Sequence, residues 1–250
     1  MPQHFKASPI PGRSYKQKQS RYPNVMDLPT RCLVVGPSGS GKSVVLQSLI
    51  CDAFSDCFAA GIHVWSHSVN LDNKTWGPVK KHMADRGFDP EKYCHEVYRE
   101  SDLEKILETQ KAVIEYQKKK GHQLMFGMCC IFDDVADDVK LMRSSTQLQT
   151  LFTRGRHFFC SSYVSVQKWR LVQPVVRINA TDEILMAAIR SSMDLEAWAS
   201  ENTALAPMEV IMDIYNRARK EPYNFIWVQK DSKDPDQIFH IGFNPGEIIS

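Results

Sequence analysis

Apolar positions along this chain fall into short dense runs separated by segments with helical spacing, and the two patterns alternate. Residues 32–35 form an unbroken apolar run that ends in a glycine-rich turn, the pattern of a strand covered on both faces. A helix is expected over 44–53, a strand over 61–66 where apolar and polar residues alternate, and another short strand over 93–98. Ser101 and Glu104 have the spacing of a capping box, and Leu103, Ile106, Leu107, Val113 and Ile114 follow at helical intervals. That helix is predicted to run to about Lys119, with Lys118, Lys119 and Lys120 favouring its carboxyl end and Gly121 stopping it. Residues 124–132 are apolar at nearly every position and 158–166 largely apolar with small residues; both read as central strands. Two helices, over 195–200 and 208–220, and a strand pair over 223–229 and 238–243 complete the order. Strands alternating with helices predict an α/β fold with a mainly parallel central sheet, flanking helices and a ligand at the carboxyl edge.

The turn after 32–35 reads Gly36, Pro37, Ser38, Gly39, Ser40, Gly41, Lys42, Ser43, a complete Walker A loop between a strand and a helix. Its glycines let consecutive backbone N–H groups turn inward around phosphates at the start of the helix that Val44 continues. The expected ligand is ATP or GTP. Lys42 reaches the β and γ phosphates, and the Ser43 hydroxyl is a ligand for Mg²⁺. The run from Met128 to Asp133 and Asp134 has the Walker B form, in which Asp133 holds the metal shell and Asp134 orients or deprotonates the attacking water. Asp137 and Asp138 read as caps of a following helix. Gln167 closes the 158–166 strand, where its amide can donate to a γ phosphate and accept from water, which makes it a candidate sensor. Arg154 and Arg156 precede that strand; an arginine inserted beside a neighbouring subunit's γ phosphate raises the rate by roughly 10³ to 10⁵. Spacing does not choose between the two, and a solvated surface pair is the plain alternative.

Composition narrows the setting. The 250 residues, 43% hydrophobic and 24% charged, suit one globular domain, with no stretch long and apolar enough to span a bilayer and no apolar leader. A cytosolic or nuclear workplace is expected. Seven cysteines without a CxxC pair read as reduced thiols. The net charge of +2 does not argue for nucleic acid, but the start is basic: Lys6, Arg13, Lys16, Lys18 and Arg21 stand among four prolines before the first acid at Asp27. Residues 1–26 are therefore predicted to be an arm able to lie along phosphates or simply to stay solvated, and 27–250 the folded domain.

The segments Ile131 to Asp134, Leu151 to His157, Val166 to Lys168 and Pro174 to Asn179 together resemble the genome-packaging ATPases of poxviruses and other large double-stranded DNA viruses, in the FtsK-HerA superfamily of DNA translocases. The likeness extends over about residues 28–245. It implies a RecA-like P-loop NTPase core of the ASCE type, assembled as a homo-oligomeric ring, pentamer or hexamer. It implies phosphate binding by Gly36 through Ser43, metal binding by Ser43 and Asp133, water activation by Asp134, sensing by Gln167 and a finger acting in trans from the Arg154/Arg156 region. Many members carry Glu where this chain has Asp134, one methylene longer, so the water must sit closer to the strand here. The implied partners are double-stranded DNA held without base reading, other copies of the chain and a capsid vertex or portal component. The implied setting is the viral factory in the host cytoplasm or nucleus, with association to the virion. Lys74, Lys80 and Lys81, in a stretch read as loop-rich, are candidates for the DNA-facing pore. A nucleotide-gated assembly protein without translocation is the rival reading; a small-molecule kinase is disfavoured because no arginine-bearing lid follows residue 150.

Overall fold

The computed structural model describes residues 12–135 and 139–243. In chain order its main elements are β1 (Lys16–Gln17), β2 (Arg31–Val35), α1 (Lys42–Ser48), β3 (Gly61–Trp65), α2 (Asn73–Asp85), α3 (Pro90–Tyr93), β4 (Cys94–His95), α4 (Glu100–Lys119), β5 (Leu124–Met125) and β6 (Met128–Asp133). Then come α5 (Val139–Ser144), α6 (Thr146–Arg154), β7 (Cys160–Val166), α7 (Pro174–Asn179), β8 (Asp182–Met186), α8 (Ser192–Glu201), α9 (Met208–Ala218), β9 (Phe225–Gln229) and β10 (Phe239–Ile241). Eight strands form one sheet in the order β10-β9-β8-β2-β7-β6-β3-β4. Along the sheet from β4 to β8 every pairing is parallel, and the strand pair expected from the sequence, β9 and β10, closes the sheet in antiparallel sense.

Alternation along the strands divides the core in two. Leu33, Val35, Cys130, Phe132, Val164 and Val166 face a cluster containing Leu103, Leu107, Leu148, Leu151 and Trp198 from α4, α6 and α8. Cys32, Val34, Cys129, Ile131 and Tyr163 face Leu46, Trp76, Val79 and Met83 from α1 and α2. Both faces of the sheet are covered, so its inner strands carry no polar face, and each fully buried Leu, Val or Phe contributes roughly 1.5–3 kcal/mol.

Several expectations need correction. The segment read as loop-rich after Trp65 contains α2, thirteen residues long, started by the Asp72 carboxylate accepting from the Thr75 amide. Gly77 and Pro78 hid it, yet Pro78 sits in its second turn and Trp76, Val79 and Met83 are buried beneath it. Residues 124–132 are two strands. β5 leaves the main sheet to pair in parallel with β1, and Gln110 and Gln117 of α4 satisfy the break by bonding the Phe126 carbonyl and amide. The Ser101 capping box does not form: the N-cap is Arg99, two residues earlier, and it makes no side-chain cap. The Glu100 carboxylate instead accepts from the Gln147 amide and Thr146 hydroxyl at the start of α6. The strand expected over 93–98 shrinks to β4, because Tyr93 belongs to α3.

β8 has no counterpart in the sequence reading, although it lies at the centre beside β2. Its first two residues are Asp182 and Glu183, charges that conceal a buried strand. Asp182 accepts from Thr30, Thr181 and Trp227, and Glu183 from Trp198, Asn202 and Lys230. The described part of the arm also lies against the domain: β1 pairs with β5, Lys18 and Arg21 contact Asp56 and Asp52, and Met26 is buried.

Candidate functional site

Register sets the floor of the site. Val35 of β2 pairs with Val166 of β7 and Leu185 of β8, and Asp133 of β6 pairs with Ser165 of β7, so all four strands end at one edge. β7 stands between the strand that leads into the glycine-rich loop and the strand that ends in Asp133, which brings Gln167 between the two. The loop is pinned at its start by the Gly36 amide donating to the Val166 carbonyl at 3.0 Å. A side chain at Gly36 would collide with Met186 of β8, whose Cγ lies 2.5 Å from where a Cβ would be. Gly41 takes φ 100°, a conformation glycine adopts without strain, and the chain enters α1 from it.

The Lys42 ammonium donates to the carbonyls of Gly36 and Pro37 at 2.8 and 3.1 Å. Burial lowers its pKa, and the Asp134 and Asp133 carboxylates oppose that shift, keeping the cation in place. The Ser43 hydroxyl donates to Asp133 Oδ2 at 3.2 Å. Asp133 is buried, which raises its pKa against the pull of the neighbouring Ser165 hydroxyl, the Ser43 hydroxyl and the Lys42 ammonium. Its Oδ1 and the Ser40 hydroxyl are buried without a hydrogen-bond partner among the described residues. A carboxylate oxygen and a hydroxyl side by side, with a further carboxylate oxygen unsatisfied, form a donor set suited to a hard divalent cation.

Asp134 leaves the strand with φ 51°, a left-handed turn that Asp tolerates better than most residues. The turn delivers its exposed carboxylate to Gln167, whose Nε2 donates to Asp134 Oδ1 at 2.9 Å. The loop after Gln167 is held from α8, where the buried Asp194 accepts from the amides of Trp169 at 2.8 Å and Arg170 at 3.3 Å. Around these groups lies a cavity of about 650 Å³ lined by Ser38, Gly39, Gly41, Lys42, Ser43, Val44, Asp133 and Asp134. Val45 of α1, Ser68 from the turn before α2, Asp72 and Thr75 from the start of α2, and Tyr223 from the α9–β9 turn complete its walls.

Gly36 through Val44, Asp133, Asp134 and Gln167 therefore converge at one edge of the sheet, as the sequence spacing required. Arg154 and Arg156 do not join them. Both are exposed and precede the first residue of β7, at the opposite edge from the loop. The Arg156 charge is felt there by Arg31 at the start of β2, whose pKa is lowered first by burial and further by Arg156. Asp137 and Asp138 lie outside the described residues. Lys74 and Lys81 are exposed on α2, and Lys80 bonds Asn70. Asp194 and Tyr223 escaped the sequence reading because neither belongs to a local motif; only the pairing of distant segments brings them to the site.

A family model described as poxvirus A32 protein matches residues 17–232. The DNA packaging protein OPG160 of vaccinia virus (strain Copenhagen) is 29% identical over 171 residues, covering 67% of this chain and 56% of that protein. The protein of the same name in monkeypox virus is 29% identical over 171 residues, covering 67% of this chain and 51% of that protein. The chain thus spans about half the length of these relatives. Among solved structures, the genome packaging NTPase B204 of Sulfolobus turreted icosahedral virus 2 in complex with ATP-gammaS aligns with a TM-score of 0.56 at 16% identity, over 84% of this chain and 95% of that one. This likeness shows a shared fold, an α/β core with a mainly parallel sheet.

Proposed function

The chain belongs to the poxvirus A32 family, and from that premise we propose that it is an ATPase that drives double-stranded DNA into a preformed viral capsid. One observation carries the reading: the glycine-rich loop, the Ser43–Asp133 pair and Asp134 line a single cavity, and Gln167 bonds Asp134 from the end of β7. Vaccinia OPG160 is named a DNA packaging protein, and B204 is named a genome packaging NTPase with a structure holding an ATP analogue; both names support it.

Backbone amides of the loop take up the triphosphate, and Lys42 exchanges the Gly36 and Pro37 carbonyls for phosphate oxygens. Ser43 and Asp133 would hold Mg²⁺, which would supply positive charge to the phosphates. Asp134 accepts the proton of the attacking water, and Gln167, bonded to it, holds that carboxylate in place and registers whether the γ phosphate is present. Arg154 or Arg156, too far along the sheet to serve its own loop, supplies positive charge to a neighbour's γ phosphate in a ring. Loss of that phosphate then shifts one subunit against the next, and DNA gripped through its backbone moves with them. The setting is the viral factory or the virion, with a capsid vertex component as the docking partner.

The test is the hydrolysis rate with and without long double-stranded DNA at low salt, where phosphate contacts are strongest. DNA is expected to accelerate release of free phosphate. Lys42→Ala should abolish ATP binding, and Asp134→Asn should keep binding while lowering turnover about 10²- to 10⁴-fold. A rate indifferent to DNA, or full turnover by Asp134→Asn, contradicts the reading.

A further inference from the structure

The turn between α9 and β9 holds a tyrosine where the fold has no packing use for one. Tyr223 is 73% exposed, and its backbone sits at φ 61°, a region that residues other than Gly, Asn and Asp seldom occupy. Asn224, the neighbour better suited to that conformation, instead accepts from the Phe225 amide with its side chain. Antiparallel pairing of Met186 with Phe225 carries the start of β9 to the same edge as the phosphate loop. There the Tyr223 ring meets the loop itself: its Cδ1 lies 3.6 Å from where a Cβ on Gly41 would be. Val44, 62% exposed on the first turn of α1, lines the same cavity as the ring.

Strand order fixes the direction. β6, with Asp133 and Asp134 at its end, lies on one side of the loop strand beyond β7, and β9 lies on the other side beyond β8. A triphosphate threaded through the loop with its terminal phosphate towards Asp133 therefore extends its nucleoside towards Tyr223. We propose that Tyr223 is the platform on which the base of the bound nucleotide stacks. The inference rests on the reading that this cavity binds a nucleoside triphosphate, and adds the residue that gives the base its affinity. Stacking uses the face of the base and leaves its hydrogen-bonding edge unread, so ATP and GTP share the platform.

The test is calorimetric titration of ATP-gammaS and of inorganic tripolyphosphate, each with Mg²⁺, into the wild type, Tyr223→Ala and Tyr223→Trp. Tyr223→Ala is expected to weaken ATP-gammaS about ten- to a hundredfold while leaving tripolyphosphate unchanged, which also shows that the loop remains folded. Tyr223→Trp should retain ATP-gammaS binding, with indole emission quenched by the nucleotide and not by tripolyphosphate. Wild-type affinity for ATP-gammaS in Tyr223→Ala overturns the proposal, and so does a parallel loss of both ligands, which marks a role in shaping the loop. A wild type that binds neither ligand removes the nucleotide reading itself and this inference with it.

Discussion

Asp133 and Asp182 are both buried and both have their carboxyl pKa raised by burial, but their surroundings differ. Asp182 accepts from Thr30 at 2.7 Å, Thr181 at 2.8 Å and Trp227 at 3.0 Å, a closed structural network between β8 and β9. Asp133 keeps an oxygen unsatisfied beside Ser43, as a residue that receives a ligand should. Burial lifts Asp182 from 3.8 to about 6. The folded state therefore holds its proton more tightly than the unfolded chain does. Its contribution to stability is full below the unfolded value, falls as pH rises through about 6 and is level above. Asp182→Asn removes that dependence. Denaturation in urea should find the stability of the wild type relative to this variant falling by about 2–3 kcal/mol between pH 4 and pH 7. A difference that stays flat or rises contradicts the assignment. At this scale the phosphate loop, Asp133 and Gln167 were legible because each follows an apolar strand at fixed spacing. Tyr223 was not, since its place depends on β8 pairing with β9.

Elements were legible where a single pattern governed them, as in β2, β3, β7 and α9. They were hidden where tertiary partners override local preference. β8 carries two carboxylates whose donors come from other segments, and α2 carries Gly77 and Pro78 above a buried Trp76. The break between β5 and β6 depends on glutamines from α4 that no local window includes. The segment after β7 is held from α8 by Asp194, which accepts from the Trp169 and Arg170 amides. Asp194→Ala leaves the buried Trp169 amide without its acceptor, a loss of about 1–3 kcal/mol in stability. Gln167, two residues away, loses its fixed anchor, so kcat should fall with little change in KM for ATP. Denaturation midpoints and steady-state kinetics check both; a destabilised variant with unaltered kcat contradicts the coupling between α8 and Gln167.

At the scale of the whole molecule, the sheet separates two halves of one proposed machine. The loop, Asp133, Asp134 and Gln167 occupy the carboxyl edge, while Arg154 and Arg156 precede β7 at the amino edge. The sequence already set these arginines before the strand that Gln167 closes, and the length of β7 holds the two groups at opposite edges. Within a single copy they lie at the other edge from the loop they are proposed to serve, so the proposed finger calls for a second copy. The measurement that tests this most directly is complementation: Lys42→Ala, which keeps both arginines, is mixed with an Arg154→Ala/Arg156→Ala double variant, which keeps the loop. Each alone should be inactive, the double variant by roughly 10³-fold or more, and the mixture should regain phosphate release as the Lys42→Ala subunits lend their arginines to intact loops. A double variant that hydrolyses ATP at the wild-type rate, or a mixture as silent as its parts, contradicts a reaction shared between neighbouring copies.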